Sequence, residues 1–173
     1  MKVAPVLALL ALAVPAAAQA KPRTVQQKMV RIAKHEATLG VHEVPAHSNT
    51  GPDIRRYHTA VKHARSDAYW CTIFVSWVAR QAGYPLGSVG QGIVDVKNLY
   101  TWGRHQGWYF RKGTRTARPG DIAVHGYSHA GIVVRVTDAG AVYTVDANWG
   151  DSVTRQLVPL SLSGYIRLPS TPR

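Results

Sequence analysis

The chain contains a single cysteine, Cys71, at the start of an apolar stretch with helical periodicity. A lone thiol cannot form an internal disulfide, and a helix N-terminus offers free N–H groups and a partial positive charge that favour the thiolate. Paired with a histidine, such a cysteine attacks carbonyl carbons, and the free N–H groups can hold the resulting oxyanion. We expect Ser66 or Asp67 to cap this helix. The competing interpretation is a structural cysteine, because free cysteine is among the most buried residue types.

Two polar segments downstream could complete this chemistry. One supplies His129, and the other supplies Asp146 and Asn148. A hairpin between them would place Gly131 opposite Asn148 and put the three polar side chains on one face of the sheet. In that register Asn148 is the diagonal neighbour of His129, and Asp146 lies one step further away unless a bulge at Gly131 shifts the pairing. Either group would fix and orient the imidazole, as a triad requires. The simpler alternatives are a strand-end histidine and the polar rim of a turn.

The elements that must position these residues change character near Gly113. Before it the apolar spacing is helical: Thr24 begins a capping box, Pro52 opens a short helix, residues 70–82 form a third, and Asp95 caps a fourth. After it, apolar segments between turns predict strands at residues 122–125, 130–137, 141–148, 152–158 and 164–168. No repeat or linker interrupts the chain. We therefore expect one α+β domain, with N-terminal helices packed on a C-terminal antiparallel sheet.

The N-terminal segment has the pattern of a secretory signal peptide. Lys2 supplies a positive start, an apolar run covers residues 3–18, and Ala18 and Ala20 are the small residues that a signal peptidase reads. A membrane anchor is the alternative, but the run is short for a span of about 20 apolar residues and Pro15 interrupts it. We therefore expect residues 1–20 to be removed and the mature protein, residues 21–173, to be secreted or to lie in the cell envelope without a transmembrane span.

The chain is strongly basic, with 21 Lys and Arg against 9 Asp and Glu and a net charge of +12. Loss of the leader removes one of these lysines, which leaves a charge of +11. A basic exported protein attracts polyanions such as anionic wall polymers and nucleic acid. Aromatic residues also interleave with basic ones, as in nucleic-acid binders: Trp102, Trp108 and Tyr109 lie near Arg104, Arg111 and Lys112. A non-enzymatic module that binds cell-wall polyanions or nucleic acid is therefore the main alternative to an enzyme.

Metal binding is the other class to consider, because the chain has 8 histidines. They form no H-E-x-x-H motif, and a single cysteine is too few for the usual structural zinc sites. We expect neither a metal nor another cofactor.

Five short segments follow one another along the chain: 70–77 (WCTIFVSW), 118–122 (RPGDI), 128–133 (SHAGIV), 146–148 (DAN) and 164–167 (GYIR). Taken in this order, they resemble the CHAP domain, which belongs to the papain-like NlpC/P60 superfamily and cleaves peptidoglycan. Residues 43–45 and 48–54 also resemble segments that precede the cysteine in some members. The resemblance covers nearly all of residues 21–173, and the ordered combination is more specific than any single motif.

The resemblance implies a papain-like fold and a role for each polar site residue. Cys71 would be the nucleophile, His129 the base, and Asp146 with Asn148 the groups that orient the histidine. Asp146 stands where the family commonly has Glu, and its shorter side chain favours Asn148 as the orienting group. The implied reaction is acyl transfer to water through a thioester, with an amide bond of the peptidoglycan stem peptide, or of its junction with the sugar, as the bond that is cut.

The resemblance also bears on the substrate contacts. Trp70, Trp149 and Asn49 would contact peptidoglycan, whereas core packing is expected of Trp77. The residues before Cys71 lack the Asp-rich loop of calcium-binding members, so no calcium is expected. Whether the bond is cut as an amidase or as an endopeptidase, and the oligomeric state, stay open at this stage.

Overall fold

The computed structural model of the protein describes residues 23–158 and 162–173. The predicted leader, residues 1–20, lies outside this part of the chain. Within the described ranges the helices come first and the strands follow, so the predicted α+β class is confirmed. The helices are α1 (Val25–Glu36), α2 (Ile54–His58), α3 (Cys71–Gln81) and α4 (Val96–His105). The strands are β1 (Tyr109–Arg111), β2 (Ile122–His125), β3 (His129–Val136), β4 (Val142–Asp146), β5 (Thr154–Leu157) and β6 (Gly164–Ile166).

The strands form one antiparallel sheet in the order β1-β6-β2-β3-β4-β5. Both α1 and α3 pack against β3, and α2 packs on α3. The main apolar core lies among these elements and includes the fully buried Phe74 and Ile132. Strand β1 was not predicted, because three residues are too few for an alternating pattern to be detected. Among the described residues, no helix is both long and apolar enough to span a bilayer.

Local sequence signals placed two of the helix starts correctly. The Thr24 hydroxyl accepts a hydrogen bond from the Gln27 N–H, and the Gln27 side chain accepts one from the Thr24 N–H, which completes the predicted capping box. Asp95 caps α4 by accepting a hydrogen bond from the backbone of Asn98. These caps succeed as predictions because each depends on residues within one turn of the helix start.

The predicted cap of α3 is wrong. This helix begins later than Ser66 and Asp67 would require: Trp70 occupies the N-cap position and makes no capping hydrogen bond through its side chain. The Asp67 carboxylate instead accepts two hydrogen bonds from Arg65. The first turn of α3 therefore keeps N–H groups that no side chain of the cap residue satisfies.

The motif around Pro119 is structural. Asp121 is fully buried and accepts hydrogen bonds from the Arg118 N–H and from two nitrogens of the Arg167 guanidinium. Arg167 follows β6 and Asp121 precedes β2, so this ion pair joins the chain segments flanking two paired strands. Removal of Arg167 would leave the buried Asp121 carboxylate without its charge partner.

Candidate active site

Cys71 is the first residue of α3 and its side chain is buried, with 5% of the residue exposed. The sequence starts the helix here because residues 71–81 are almost continuously apolar and all but three of them are buried. The partial positive charge of the helix N-terminus therefore acts directly on the thiol. The Thr72 hydroxyl lies 3.8 Å from Sγ and is a further polar neighbour.

His129 is the first residue of β3 and brings its imidazole to the thiol. Its Nε2 lies 3.2 Å from Oδ1 of Asp146. The imidazole is also close enough to Cys71 for each group to stabilise the charged form of the other. Because Asp146 engages Nε2, Nδ1 is the ring nitrogen left for the thiol. The structure thus brings together the three side chains that sequence analysis selected as nucleophile, base and one of two orienting groups.

The electrostatics of the pair favour the charged forms of both members. Burial alone would raise the pKa of the Cys71 thiol, but its hydrogen bond to His129 and the charge of that ring outweigh burial, and the pKa lies below its ordinary value. Burial would likewise lower the pKa of His129, but hydrogen bonds to Asp146 and Cys71 raise it to about 9. The arrangement therefore supports a thiolate–imidazolium pair near neutral pH.

Asp146 is held rigidly at the end of β4. It is 1% exposed, and the Thr144 hydroxyl donates a hydrogen bond to Oδ2. Gly131 lies directly opposite Asp146, and a Cβ built on this glycine would stand 1.8 Å from Oδ1. The carboxylate therefore occupies the space that any other residue at position 131 would fill with its side chain.

The predicted register of the hairpin is wrong, and this changes which residue meets His129. Gly131 pairs with Asp146 rather than with Asn148. One residue of the difference arises in the turn, where Thr137 rather than Asp138 pairs with Ala141, and a second arises at an irregularity between Val133 and Arg135. The predicted alternative was a bulge at Gly131, and the observed irregularity lies further along the same strand. Two shifts of one residue preserve parity, so Asp146 stays on the face of His129.

Asn148 makes no hydrogen bond with His129. Its side-chain amide donates a hydrogen bond to Oδ1 of Asn49, 2.8 Å away, and its backbone has a positive φ of 59°. The preference for Asn148 as the orienting group is therefore corrected: Asp146 takes that position. Asn49 lies near the site through its contact with Asn148, and its backbone N–H donates to the buried Glu43.

Trp70 is also corrected, because a fully buried side chain has no surface to offer a substrate. It is 0% exposed, stacks on Tyr57 at a centroid distance of 6.0 Å, and donates from Nε1 to Oε1 of Glu43 at 2.9 Å. The same carboxylate accepts from the Asn49 N–H. Glu43 thus ties the loop containing residues 43–49 to the residue preceding Cys71, and Trp70 positions the start of α3. Trp77 packs against the core as expected, edge-on to Tyr57.

Trp149 fits the predicted position beside the reacting groups. It is 39% exposed, and its ring meets His129 edge to face at 5.1 Å. A cleft of about 300 Å³ opens at Cys71 and is lined by both apolar and polar residues, including Tyr69, Val96 and Tyr127. A substrate amide entering this cleft would reach the thiol.

Sequence analysis missed His125. It ends β2 directly opposite His129, with ring centroids 5.7 Å apart, and it is 5% exposed. Neither ring nitrogen has a hydrogen-bond partner among the described residues, and burial lowers the pKa of this histidine. A neutral His125 adds no charge beside the imidazolium of His129. The available signal was the short connection between the two histidines, which resembles a hairpin turn.

The hypothesis of a non-enzymatic binding module relied on exposed aromatic residues, but two of them are largely internal. Trp102 is 8% exposed and meets Trp108 edge to face at 5.3 Å, so this pair belongs to the core. In the described part of the chain, no group of three or more His, Cys, Asp or Glu side chains is arranged to hold a metal ion.

Comparison with known proteins adds one finding. The family model of the CHAP domain matches residues 63–148, a segment that begins eight residues before Cys71 and ends at Asn148. It therefore includes the thiol, His129 and Asp146, and leaves α1, α2, β5 and β6 outside the match. Comparison with curated proteins and with solved structures gave no match.

Proposed function

The chain contains a CHAP domain, and we propose on that premise that it is an exported cysteine hydrolase that cleaves amide bonds of peptidoglycan. The observation that carries the proposal is the set of contacts made by His129. Its ring is hydrogen-bonded to the Asp146 carboxylate, and it stands close enough to the Cys71 thiol for the two to stabilise each other's charged forms. A buried thiol with an activating base and an orienting acid is an arrangement for nucleophilic catalysis.

In the proposed reaction, the Cys71 thiolate attacks the carbonyl carbon of a substrate amide. The free N–H groups at the start of α3 stabilise the oxyanion of the tetrahedral intermediate. The His129 imidazolium then gives its proton to the leaving amine, the C–N bond breaks, and the acyl group remains on sulfur as a thioester. His129, now neutral, takes a proton from water as the water attacks the thioester, and the thiolate leaves with the carboxylic acid as product.

Asp146 acts through His129 in this scheme. Its hydrogen bond to Nε2 directs Nδ1 toward the thiol and stabilises the imidazolium that must donate the proton. His125 stays neutral because of its burial, so the charge on His129 is not opposed by a second cation at this strand end. Trp149 packs edge to face against the imidazole and helps to hold it in place.

The proposed place of action is outside the cytoplasmic membrane. Residues 1–20 have the composition of a cleavable leader, and peptidoglycan is an extracytoplasmic polymer. The net charge of +11 expected after cleavage would draw the protein toward the anionic polymers of the wall. Residues 21–173 would act as one catalytic domain.

The test compares turnover of purified peptidoglycan by residues 21–173 and by the same chain with Cys71→Ser. We expect soluble fragments from the wild type alone, and mass spectrometry of their new ends distinguishes an amidase, which separates peptide from sugar, from an endopeptidase, which cuts within the peptide. Circular dichroism of both proteins controls for folding. Absence of fragments from a folded wild-type protein that still binds the wall would replace the hydrolase with a binding module.

A further inference from the structure

A second and larger concave surface lies beside the cleft at Cys71. This surface, named here the tyrosine–arginine groove, has a volume of about 770 Å³ and contains residues from α4, β1 and the segments after β2 and before β6. None of the described residues that line it is acidic. The side chains that the argument uses are Tyr100, Tyr109, Tyr127, Arg104, Arg111 and Lys112.

The three cations of the groove have no carboxylate partner in the described part of the chain. No carboxylate oxygen of the described residues lies within 4.0 Å of a side-chain nitrogen of Arg104, Arg111 or Lys112. Three arginines elsewhere do have such partners: Arg56 pairs with Glu36, Arg65 with Asp67 and Arg167 with Asp121. The groove therefore concentrates positive charge in a concave place, where it acts more strongly on an incoming anion than on a convex surface.

The tyrosines of the groove make it a preformed surface. Tyr100 meets Tyr109 edge to face at 4.8 Å and Tyr127 at 5.3 Å. Arg104 donates to the Tyr100 hydroxyl at 3.2 Å, which restrains the guanidinium above the tyrosine cluster. Tyr109 in turn donates to the Ser163 carbonyl. Side chains that are already ordered lose less conformational entropy when they bind a ligand.

The groove is continuous with the cleft that contains the thiol. Tyr127 lines both, and it is 64% exposed. Lys112 of the groove also lies near enough to His125 for its charge to lower the pKa of that histidine, and His125 is opposite His129. A molecule whose amide reaches Cys71 would therefore place its adjoining atoms against Tyr127 and the three cations.

We infer that the tyrosine–arginine groove binds the carboxylates of the peptide portion of the substrate next to the amide that is cut. The inference rests on the proposed function, since it assigns the groove to the same substrate. Peptidoglycan strands consist of N-acetylated sugars with little charge of their own, whereas their peptides carry free carboxylates. Arginine fits a carboxylate with two parallel hydrogen bonds, and the tyrosine faces accept the aliphatic parts of a peptide. Continuity with the cleft favours this occupant over a separate polyanion.

The test measures binding rather than turnover, so that it stands even if the proposed reaction fails. The protein is residues 21–173 with Cys71→Ser, and the probes are two synthetic stem peptides attached to their sugar, one with free carboxylates and one with the same groups amidated. Dissociation constants are measured by titration calorimetry at low and at physiological salt. Loss of charge-assisted hydrogen bonds predicts that the amidated probe binds about tenfold more weakly.

A matched pair of variants locates the effect. Substitution of Arg104, Arg111 and Lys112 by Gln removes three charges from the groove, whereas Gln at Lys28, Arg31 and Lys34 removes three from α1, which does not line it. The parent protein is residues 21–173 with Cys71→Ser, and both variants are made in it. We expect the groove variant to bind both probes equally weakly. We expect the α1 variant to show the same difference in affinity between the two probes as the parent. Equal affinity of the parent for both probes, or loss of discrimination in the α1 variant as well, would overturn the inference. So would a groove variant that loses only affinity for DNA or polyphosphate, which would assign the groove to a polyanion.

If the wild type fails to release fragments from peptidoglycan while the parent still discriminates between the probes, the proposed reaction fails and the groove inference survives. If fragments are released and amidated substrate is cut with an unchanged KM, the reaction survives and the groove inference fails. The two proposals are thus separable by experiment.

Discussion

Substitution of Gly131 by Ala tests how the site holds its orienting carboxylate. A Cβ at this position would lie 1.8 Å from Oδ1 and 2.7 Å from Cγ of Asp146, and 3.1 Å from the backbone oxygen of Val145. Non-bonded atoms do not approach so closely in a packed interior, so Oδ1 must move by roughly 1.2 Å or more. The hydrogen bond from His129 Nε2, already 3.2 Å long, would not survive that movement.

The size of the effect follows from the bond that is lost. A hydrogen bond to a charged group contributes about 1.5–3 kcal/mol, and each 1.36 kcal/mol corresponds to a factor of ten in rate. We therefore expect kcat/KM of Gly131→Ala to fall by about 10- to 150-fold. The hydrogen bond to Asp146 is also the largest influence that raises the pKa of His129, so this pKa should fall from about 9, and the pKa of Cys71 should rise in response.

The assay has two parts, one of which does not depend on the natural substrate. The first is kcat/KM on peptidoglycan fragments, and the second is the rate of Cys71 alkylation by iodoacetamide as a function of pH. In Gly131→Ala the alkylation profile should move to higher pH than in the wild type, because less thiolate is present at neutral pH.

The control is Gly140→Ala in the turn between β3 and β4. Gly140 has a positive φ of 80° and open space where a Cβ would lie, so alanine there costs about 1–2 kcal/mol of backbone strain without touching the site. This variant should lose stability and keep both the alkylation profile and kcat/KM. A Gly131→Ala protein that is folded and retains kcat/KM within twofold would refute the reasoning, as would an equal loss of activity in the Gly140 control.

Three further outcomes are expected from the same geometry. Asp146→Asn should lower kcat/KM by about tenfold or more, because it removes the negative charge that accepts the hydrogen bond from His129. Asn148→Ala should have a smaller effect, since the Asn148 side chain is bonded to Asn49. Steady-state kinetics of the two variants measures this, and a larger loss in Asn148→Ala would refute it. The pH profile of kcat/KM should fall on its alkaline side near pH 9, where His129 of the free enzyme loses the proton that it must donate. This limb should move to lower pH in Asp146→Asn, and a limb at the same pH in both proteins would assign it to another group. Trp70→Phe should lower the free energy of unfolding by about 1–3 kcal/mol, because the buried Glu43 carboxylate loses the hydrogen bond from the indole N–H. Urea titration measures this change. An unchanged stability together with a raised KM would restore a substrate-binding role for Trp70.

Much of the candidate site could be read from the sequence because its members lie at the ends of elements: Cys71 and His129 begin α3 and β3, and Asp146 ends β4. The apolar period fixed where α3 begins, and with it the location of Cys71 at a helix N-terminus. The order of the short motifs indicated the family, and the family model matches residues 63–148, which contain four of the five matching segments. Parity along the strands placed Asp146 on the face of His129, because side chains alternate with a period of two whatever the register.

Other features depend on contacts between distant segments, and the sequence could not give them. The choice between Asp146 and Asn148 depended on a turn one residue wider than expected and on an irregularity beyond Val133, each of which shifts the pairing by one residue. The sequence predicted that Trp70 contacts the substrate, whereas in the structure it is buried and bonded to Glu43. Burial depends on residues that are distant along the chain, so the sequence around Trp70 could not reveal it.

The tyrosine–arginine groove likewise combines residues that the sequence shows with a placement that only the tertiary structure shows. In the sequence, Arg104, Arg111 and Lys112 are recognisable only as basic residues among aromatic ones, and no sequence pattern connects Tyr127 with them. The sheet brings β1 beside β6 and β6 beside β2, and so places the segment after β2 next to Arg111 and the helix that carries Arg104. The sequence by itself determined the reactive groups and their local settings, because capping, periodicity and alternation act over a few residues. Tertiary structure alone decided which group orients the histidine and which surface adjoins the thiol, because pairing register and packing join residues that lie far apart along the chain.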